Sequence, residues 1–228
     1  MSEKTANMPA RKGLLNKAWW QRFGGSVKYA FHVMFHPFDG FWDLTHEHRG
    51  TLAAANFFVI LLLLSRLMSL QLTNIMFMKV YWPRVNIFQQ CASLLLPLGI
   101  YCGCNWGLTT LFDGKGTLKD VYIATAYALV PYILGQLIII PLSNILTMEE
   151  GSLYTVIETA MLVWSALLLV CGMVQVHDFG LGKTLLFLFL TVVGLAIVIF
   201  LLLLFLTLVG DGIGYIISVY KEINFRLN

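Results

Sequence analysis

The chain has 228 residues, of which 58% are hydrophobic and 12% charged, with a mean hydropathy of +0.78. Soluble domains carry about 25% charged residues, so this composition excludes an ordinary soluble protein and leaves residues 1–50 as the only long stretch outside a membrane. The net charge of +3 comes without a basic stripe interleaved with aromatics, which argues against nucleic acid as a partner.

Basic residues open the chain, but no apolar core follows in the first thirty positions, so the first membrane helix is expected to serve as the targeting signal. Within residues 1–35, Trp19, Phe23, Val27, Ala30 or Phe31 and Met34 recur at helical spacing, with Lys17, Arg22 and Lys28 between them. That pattern, with Trp20 beside it, predicts an interfacial amphipathic helix, against which Gly24 and Gly25 weigh. Pro37 then suits the first turn of a second short helix. Phe38, Phe41 and Trp42 share one face of it, and Asp39, Asp43 and Glu47 another, which predicts a helix lying on the bilayer with its aromatic face down.

Five apolar segments follow, at 52–73, 88–111, 121–142, 153–176 and 184–208, each near the roughly 20 residues that span a bilayer. The fold class expected is therefore all-α: a bundle of five transmembrane helices preceded by short interfacial helices. Its divisions are a cytoplasmic segment at 1–50, a membrane domain at 51–208 and an outer tail at 209–228. That tail reads either as a surface helix or as the fifth span running on into water. Ten Lys and Arg flank the side of the N-terminus and four the other side, which predicts a cytoplasmic N-terminus. Tyr81, Trp82, Trp106 and Tyr154 fall at span boundaries, where amphipathic rings prefer to sit.

Between the second and third spans lies a polar hairpin with Asp113, Lys115, Lys119 and Asp120. Gly114 and Gly116 allow a tight turn, and Thr117 with Asp120 forms a capping-box start for the next helix. Because the hairpin makes the two spans antiparallel neighbours, the stripe Gly99, Gly103, Gly107 is expected to face or flank Ala124, Ala128 and Gly135. The competing reading makes one stripe a dimerisation face.

Arg66 in the first span and Glu158 in the fourth fall in the same outer third of the bilayer and could form an ion pair; otherwise Arg66 snorkels and Glu158 sits among headgroups. Asn56 and Asn105 are at similar inner depths and could bond across spans. Pro97, Pro131 and Pro141 interrupt spans, and such kinks can mark a transport path, but five helices with almost no buried charge make a poor carrier on their own.

No catalytic, cofactor or metal residue is assigned. His32 and His36 have the i, i+4 spacing of helical metal ligands, but Pro37 breaks that helix and headgroup-level histidines explain them better. Cys91, Cys102, Cys104 and Cys171 lie in or beside apolar runs as small buried side chains, with no disulfide framework. Neither lysine-glycine word is a nucleotide loop: Lys115 lacks a following Ser or Thr, and His177 stands where Gly182-Lys183-Thr184 would need its first glycine. With no nucleophile elbow or zincin helix either, an enzyme is not expected.

Residues 36–44 before the first span and 112–131 leading into the third together resemble the Yip-domain family, the Rab/Ypt-interacting proteins and their bacterial relatives. The similarity in order, spacing and five-span layout runs from about residue 36 into the 220–226 tail. It implies a helical, often oligomeric membrane domain with a cytoplasmic N-terminus. Eukaryotic members bind prenylated small GTPases and act in traffic between endoplasmic reticulum and Golgi. They carry an Asp-Leu-Tyr-Gly-Pro-like word where this chain reads Pro37-Phe38-Asp39-Gly40-Phe41-Trp42, so the chain looks more like the bacterial branch. No GTPase-binding residue carries over, and a small GTPase is a partner only for a eukaryotic source.

These readings converge on a non-enzymatic membrane scaffold that binds lipids and other integral membrane proteins and could self-associate. Its membrane is the cell membrane in a bacterium, or that of the endoplasmic reticulum or Golgi in a eukaryote. The alternatives are an accessory or pore-forming transporter subunit, and a lipid-handling or membrane-shaping protein that would act through Trp19, Trp20 and Phe23.

Overall fold

Pro37 divides the amphipathic N-terminal segment into two helices, α1 (Lys17–Phe35) and α2 (Pro37–His46). His36, restrained by the proline after it, sits at φ −127° and ψ 73° between them. The computed structural model describes residues 17–77 and 86–227; Lys79, Tyr81, Trp82 and Arg84 lie outside these. Thr51 then caps α3 (Leu52–Leu72) by accepting from the Ala54 amide at 3.2 Å. Asn86 caps α4 (Ile87–Thr110) by accepting from the Phe88 amide at 2.9 Å.

The third apolar segment forms two helices in line, α5 (Leu118–Ala128) and α6 (Val130–Ser143). Pro131 causes the break. It has no amide to give the carbonyl four residues back, and the next amide, of Tyr132, donates to Ser165 Oγ at 3.0 Å instead. After a single 3-10 turn at Met148–Glu150, α7 (Gly151–His177) returns through the bundle and α8 (Leu181–Leu227) leaves it. Among the described residues five units are long and apolar enough to cross a membrane: α3, α4, α5 with α6, α7 and α8.

Span α5–α6 is the axis of the bundle: 72% of its most apolar window is buried, against none of that of α8. Helices α3, α4 and α7 pack around this axis, and α8 packs on α4 and α7. Ala124, Ala126 and Ala128 keep the axis slim enough for neighbours to close on Tyr127 and Ile133, both 1% exposed. Each such contact gains from close packing of apolar side chains, since lipid offers no hydrophobic drive.

Two expectations are revised. Helix α2 does not lie with its whole aromatic face towards lipid: Phe41 is fully buried against Gly172 of α7, while Phe38 and Trp42 stay exposed. Both surface helices belong to the core, since Ala30 and Val33 of α1 and Leu44 of α2 are buried in it. Helix α1 is continuous through Gly24 and Gly25, around which a side chain would meet open space. As for the tail, α8 runs unbroken for 47 residues, roughly 70 Å at about 1.5 Å per residue.

Candidate functional site

The hairpin between α4 and α5 closes over the end of α7. Thr117 and Asp120 form the expected capping box, with Thr117 N donating to Asp120 Oδ2 at 3.2 Å and Asp120 N to Thr117 Oγ1 at 3.3 Å. The left-handed residue of the turn is Asp113, at φ 62°, and no described glycine has positive φ. Gly114 and Gly116 are required for close approach instead. A side chain at Gly116 would overlap Val176, and one at Gly114 would come within 2.9 Å of the Thr109 carbonyl and 3.1 Å of His177 Nδ1.

His177 is thus sealed beneath the hairpin at 2% exposure. Its Nε2 lies 2.9 Å from Asn105 Oδ1, and Asn105 Nδ2 donates to Thr191 Oγ1 at 3.3 Å. Since the Asn105 amide nitrogen is spent on Thr191, its oxygen accepts and His177 Nε2 donates, leaving Nδ1 as a buried acceptor without a partner. This chain ties α4, α7 and α8 at one level. Above it, Lys115 Nζ reaches Asp178 Oδ2 at 2.7 Å and holds that carboxyl below its ordinary range. Lys183 donates to the Phe112 carbonyl at 3.3 Å and stands 3.9 Å over the Phe179 ring. Lys119 is exposed on the first turn of α5.

The same end of the bundle carries α1 and α2. Trp19 stacks on Phe23, which meets Phe57 of α3 edge to face, while Trp20 is exposed. Tyr127 of the axis donates to the Ser26 carbonyl at 3.0 Å and so fastens α1 down. Tyr29 donates to Asp43 at 2.5 Å; burial, and then that carboxylate, push its hydroxyl well above the ordinary tyrosine range. Arg49 pairs with Glu47 at 2.6 Å, which raises its already high pKa. Pro37 is half-buried and Asp39 exposed. The rings of His32 and His36 stack at 5.0 Å, and among the described residues no three His, Cys, Asp or Glu side chains converge as metal ligands do.

Within the membrane span the predicted pairs separate. Arg66 and Glu158 form no ion pair among the described residues, because α6 stands between α3 and α7. Glu158 accepts instead from Gln136 of α6 at 3.4 Å, and Arg66 is exposed. Asn56 accepts from Tyr122 at 2.7 Å, not from Asn105. The small-residue stripes do not meet either. A side chain added at Gly99, Gly103 or Gly107 would find nothing within 4 Å, whereas Gly135 packs on Met161 of α7. Helices α4 and α5 are neighbours as expected, but through Cys102, buried 4.0 Å from Thr125 Oγ1.

At the α5–α6 break a cavity of about 500 Å³ opens, lined by Tyr101, Thr125, Ala128, Leu129, Tyr132 and Ser165 among apolar side chains. Its lining is mostly apolar with a few hydroxyl groups, which suits an apolar molecule. His177, Thr191, Tyr29 and Gln136 were not singled out from sequence. Thr184 and Thr191, two turns apart in an otherwise apolar stretch of α8 and both buried, were the available signal for the face of α8 that meets Asn105.

The fold is therefore a helical membrane bundle with two helices laid on one end, a glycine-packed hairpin and a projecting last helix. No curated protein and no solved structure matches the chain. The family model of the Yip1 domain matches residues 31–205, from the second half of α1 to the middle of α8. With the match covering most of the chain, including spans α3 to α7 and the first half of α8, the protein belongs to the Yip1 domain family.

Proposed function

We propose that the protein is a non-enzymatic scaffold that binds other integral membrane proteins along α8 and the adjoining glycine edge of α4. One observation carries this reading. From residue 200 to 226 every residue of α8 is exposed, so about half of a roughly 70 Å helix is open to its surroundings. A bilayer core of about 30 Å accounts for less than half of that length. Gly99, Gly103 and Gly107 present a second unfilled face of the kind that lets another helix approach closely. Helices α1 and α2, with the hairpin, form the polar end of the scaffold, which the excess of Lys and Arg assigns to the cytoplasm.

The test is co-purification from native membranes under mild solubilisation, paired with a flux assay on the purified chain in liposomes. A stoichiometric membrane protein that is lost on Gly103→Leu, without flux, supports the scaffold. Flux from the chain alone sinks it. The cavity beside the α5–α6 break favours one second reading, lipid handling, which predicts accelerated lipid exchange between vesicles that stops when Ala128→Trp fills the space.

A further inference from the structure

The cavity at the α5–α6 break stands at mid-depth in the bundle. Leu62 is the central residue of α3, Leu98 falls at the middle of α4, Leu129 joins α5 to α6, and Ser165 lies beside the centre of α7. Small side chains make the room, since Ser93, Ala128, Ser165 and Ala166 all line it. Leu162, also in its wall, is 56% exposed, so the space opens sideways on the flank of the bundle. Its volume of about 500 Å³ is within the roughly 300–1,000 Å³ of small-ligand pockets.

The hydroxyls of this wall fall into two sets. Ser93 donates to the Gln90 carbonyl at 2.8 Å and Thr125 to the Val121 carbonyl at 2.7 Å, each within its own helix. Tyr101 Oη, in contrast, is buried and has no hydrogen-bond partner. Ser165 Oγ accepts from the Tyr132 amide at 3.0 Å and donates to nothing among the described residues. A buried hydroxyl left unbonded is unfavourable, and in hydrocarbon no water stands in for the partner. What the wall lacks is an acceptor. None of the described residues lining it carries a charge, so an anionic acceptor would stand at mid-depth without a counter-ion.

We infer that this cavity binds an uncharged lipid through a carbonyl oxygen, with Tyr101 donating to it and Ser165 as a second donor in the wall. A carbonyl offers two lone pairs and brings no proton of its own to bury. It can belong to an acyl ester or to a quinone ring, and the experiment separates the two. The site rests on the lipid-handling reading, to which it adds the group that recognises the lipid.

The full chain, purified in mild detergent and stripped of lipid, is titrated with methyl palmitate, decylubiquinone and octadecane, and binding is read from the rise in unfolding midpoint. Tyr101→Phe weakens binding of a carbonyl probe by about three- to tenfold, the loss of one neutral hydrogen bond. Octadecane, which has no acceptor, binds the wild type and the variant alike. Loss confined to methyl palmitate identifies an acyl lipid, and loss confined to decylubiquinone a quinone. The variant folds, because it removes only a hydroxyl without a partner, and its lipid-free midpoint is unchanged or higher. Unchanged binding of both carbonyl probes in Tyr101→Phe overturns the inference, as does an equal loss for octadecane or no binding of either carbonyl probe. Binding that depends on Tyr101 without lipid exchange between vesicles leaves the inference standing and removes lipid handling; exchange that does not depend on Tyr101 does the reverse.

Discussion

Leucine introduced at Gly135 and at Gly103 has opposite consequences, although both are glycines in the interior of a membrane helix. At Gly135 the first added carbon would sit 2.5 Å from Met161 Cγ and 2.8 Å from its Cβ. Both atoms lie close to the α7 backbone, so α6 and α7 must part, and overpacking of this kind costs about 1–3 kcal/mol. For a chain of this length each kcal/mol moves the unfolding midpoint by about 2–4 °C, so Gly135→Leu lowers it by roughly 2–12 °C. At Gly103 nothing lies within 4 Å, and leucine is the better helix former by up to about 1 kcal/mol. Gly103→Leu therefore leaves the midpoint unchanged or raises it. The assay is thermal unfolding of the purified monomer in mild detergent, followed by size-exclusion recovery. A Gly103→Leu midpoint as low as that of Gly135→Leu refutes the placement of α4's glycines on an open face.

In the hairpin, Asp113→Gly relieves a left-handed residue and holds or raises stability, whereas Gly116→Ala collides with Val176 and lowers it by about 1–3 kcal/mol; thermal unfolding in detergent separates them. Asn105→Leu strips the partner from His177 Nε2 and costs about 1–3 kcal/mol, and a double-mutant cycle with His177→Phe gives a non-additive result. The Lys115–Asp178 pair depresses the carboxyl's pKa, so its contribution is complete above the ordinary carboxylate value of about 3.9 and fades as pH falls through the lowered one. Amide exchange in residues 112–117, followed against pH, quickens there in the native chain but not in Asp178→Asn; the exposed position keeps the change small. Arg66→Gln and Glu158→Gln add independently, because α6 separates them.

The spans were legible because a run of about 20 apolar residues has few other uses, and the capping box because Thr117 and Asp120 act within one turn. What the sequence hid was rotation. Helices α3 and α4 are apolar all round, so nothing in their pattern says which side meets a neighbour, and the stripe at Gly99, Gly103 and Gly107 was paired with the wrong surface. Depth alone matched Arg66 with Glu158 and Asn56 with Asn105; it took the central position of α5–α6 to send each to a different partner. Phe41 illustrates the limit for amphipathic helices. Its spacing from Phe38 and Trp42 predicts one shared aromatic face, yet Phe41 alone of the three is buried, packed against Gly172. The polar chain from His177 through Asn105 to Thr191 joins residues from three spans, and no local pattern connects them.

The most direct measurement places a photo-crosslinking amino acid at Ile216, which is 67% exposed on the free half of α8, and irradiates intact membranes. One discrete protein adduct of defined mass is expected, formed in proportion to the chain and absent when the probe is moved to buried Ile133. Adducts to lipid alone at Ile216, with no protein captured there or at neighbouring positions of α8, contradict it.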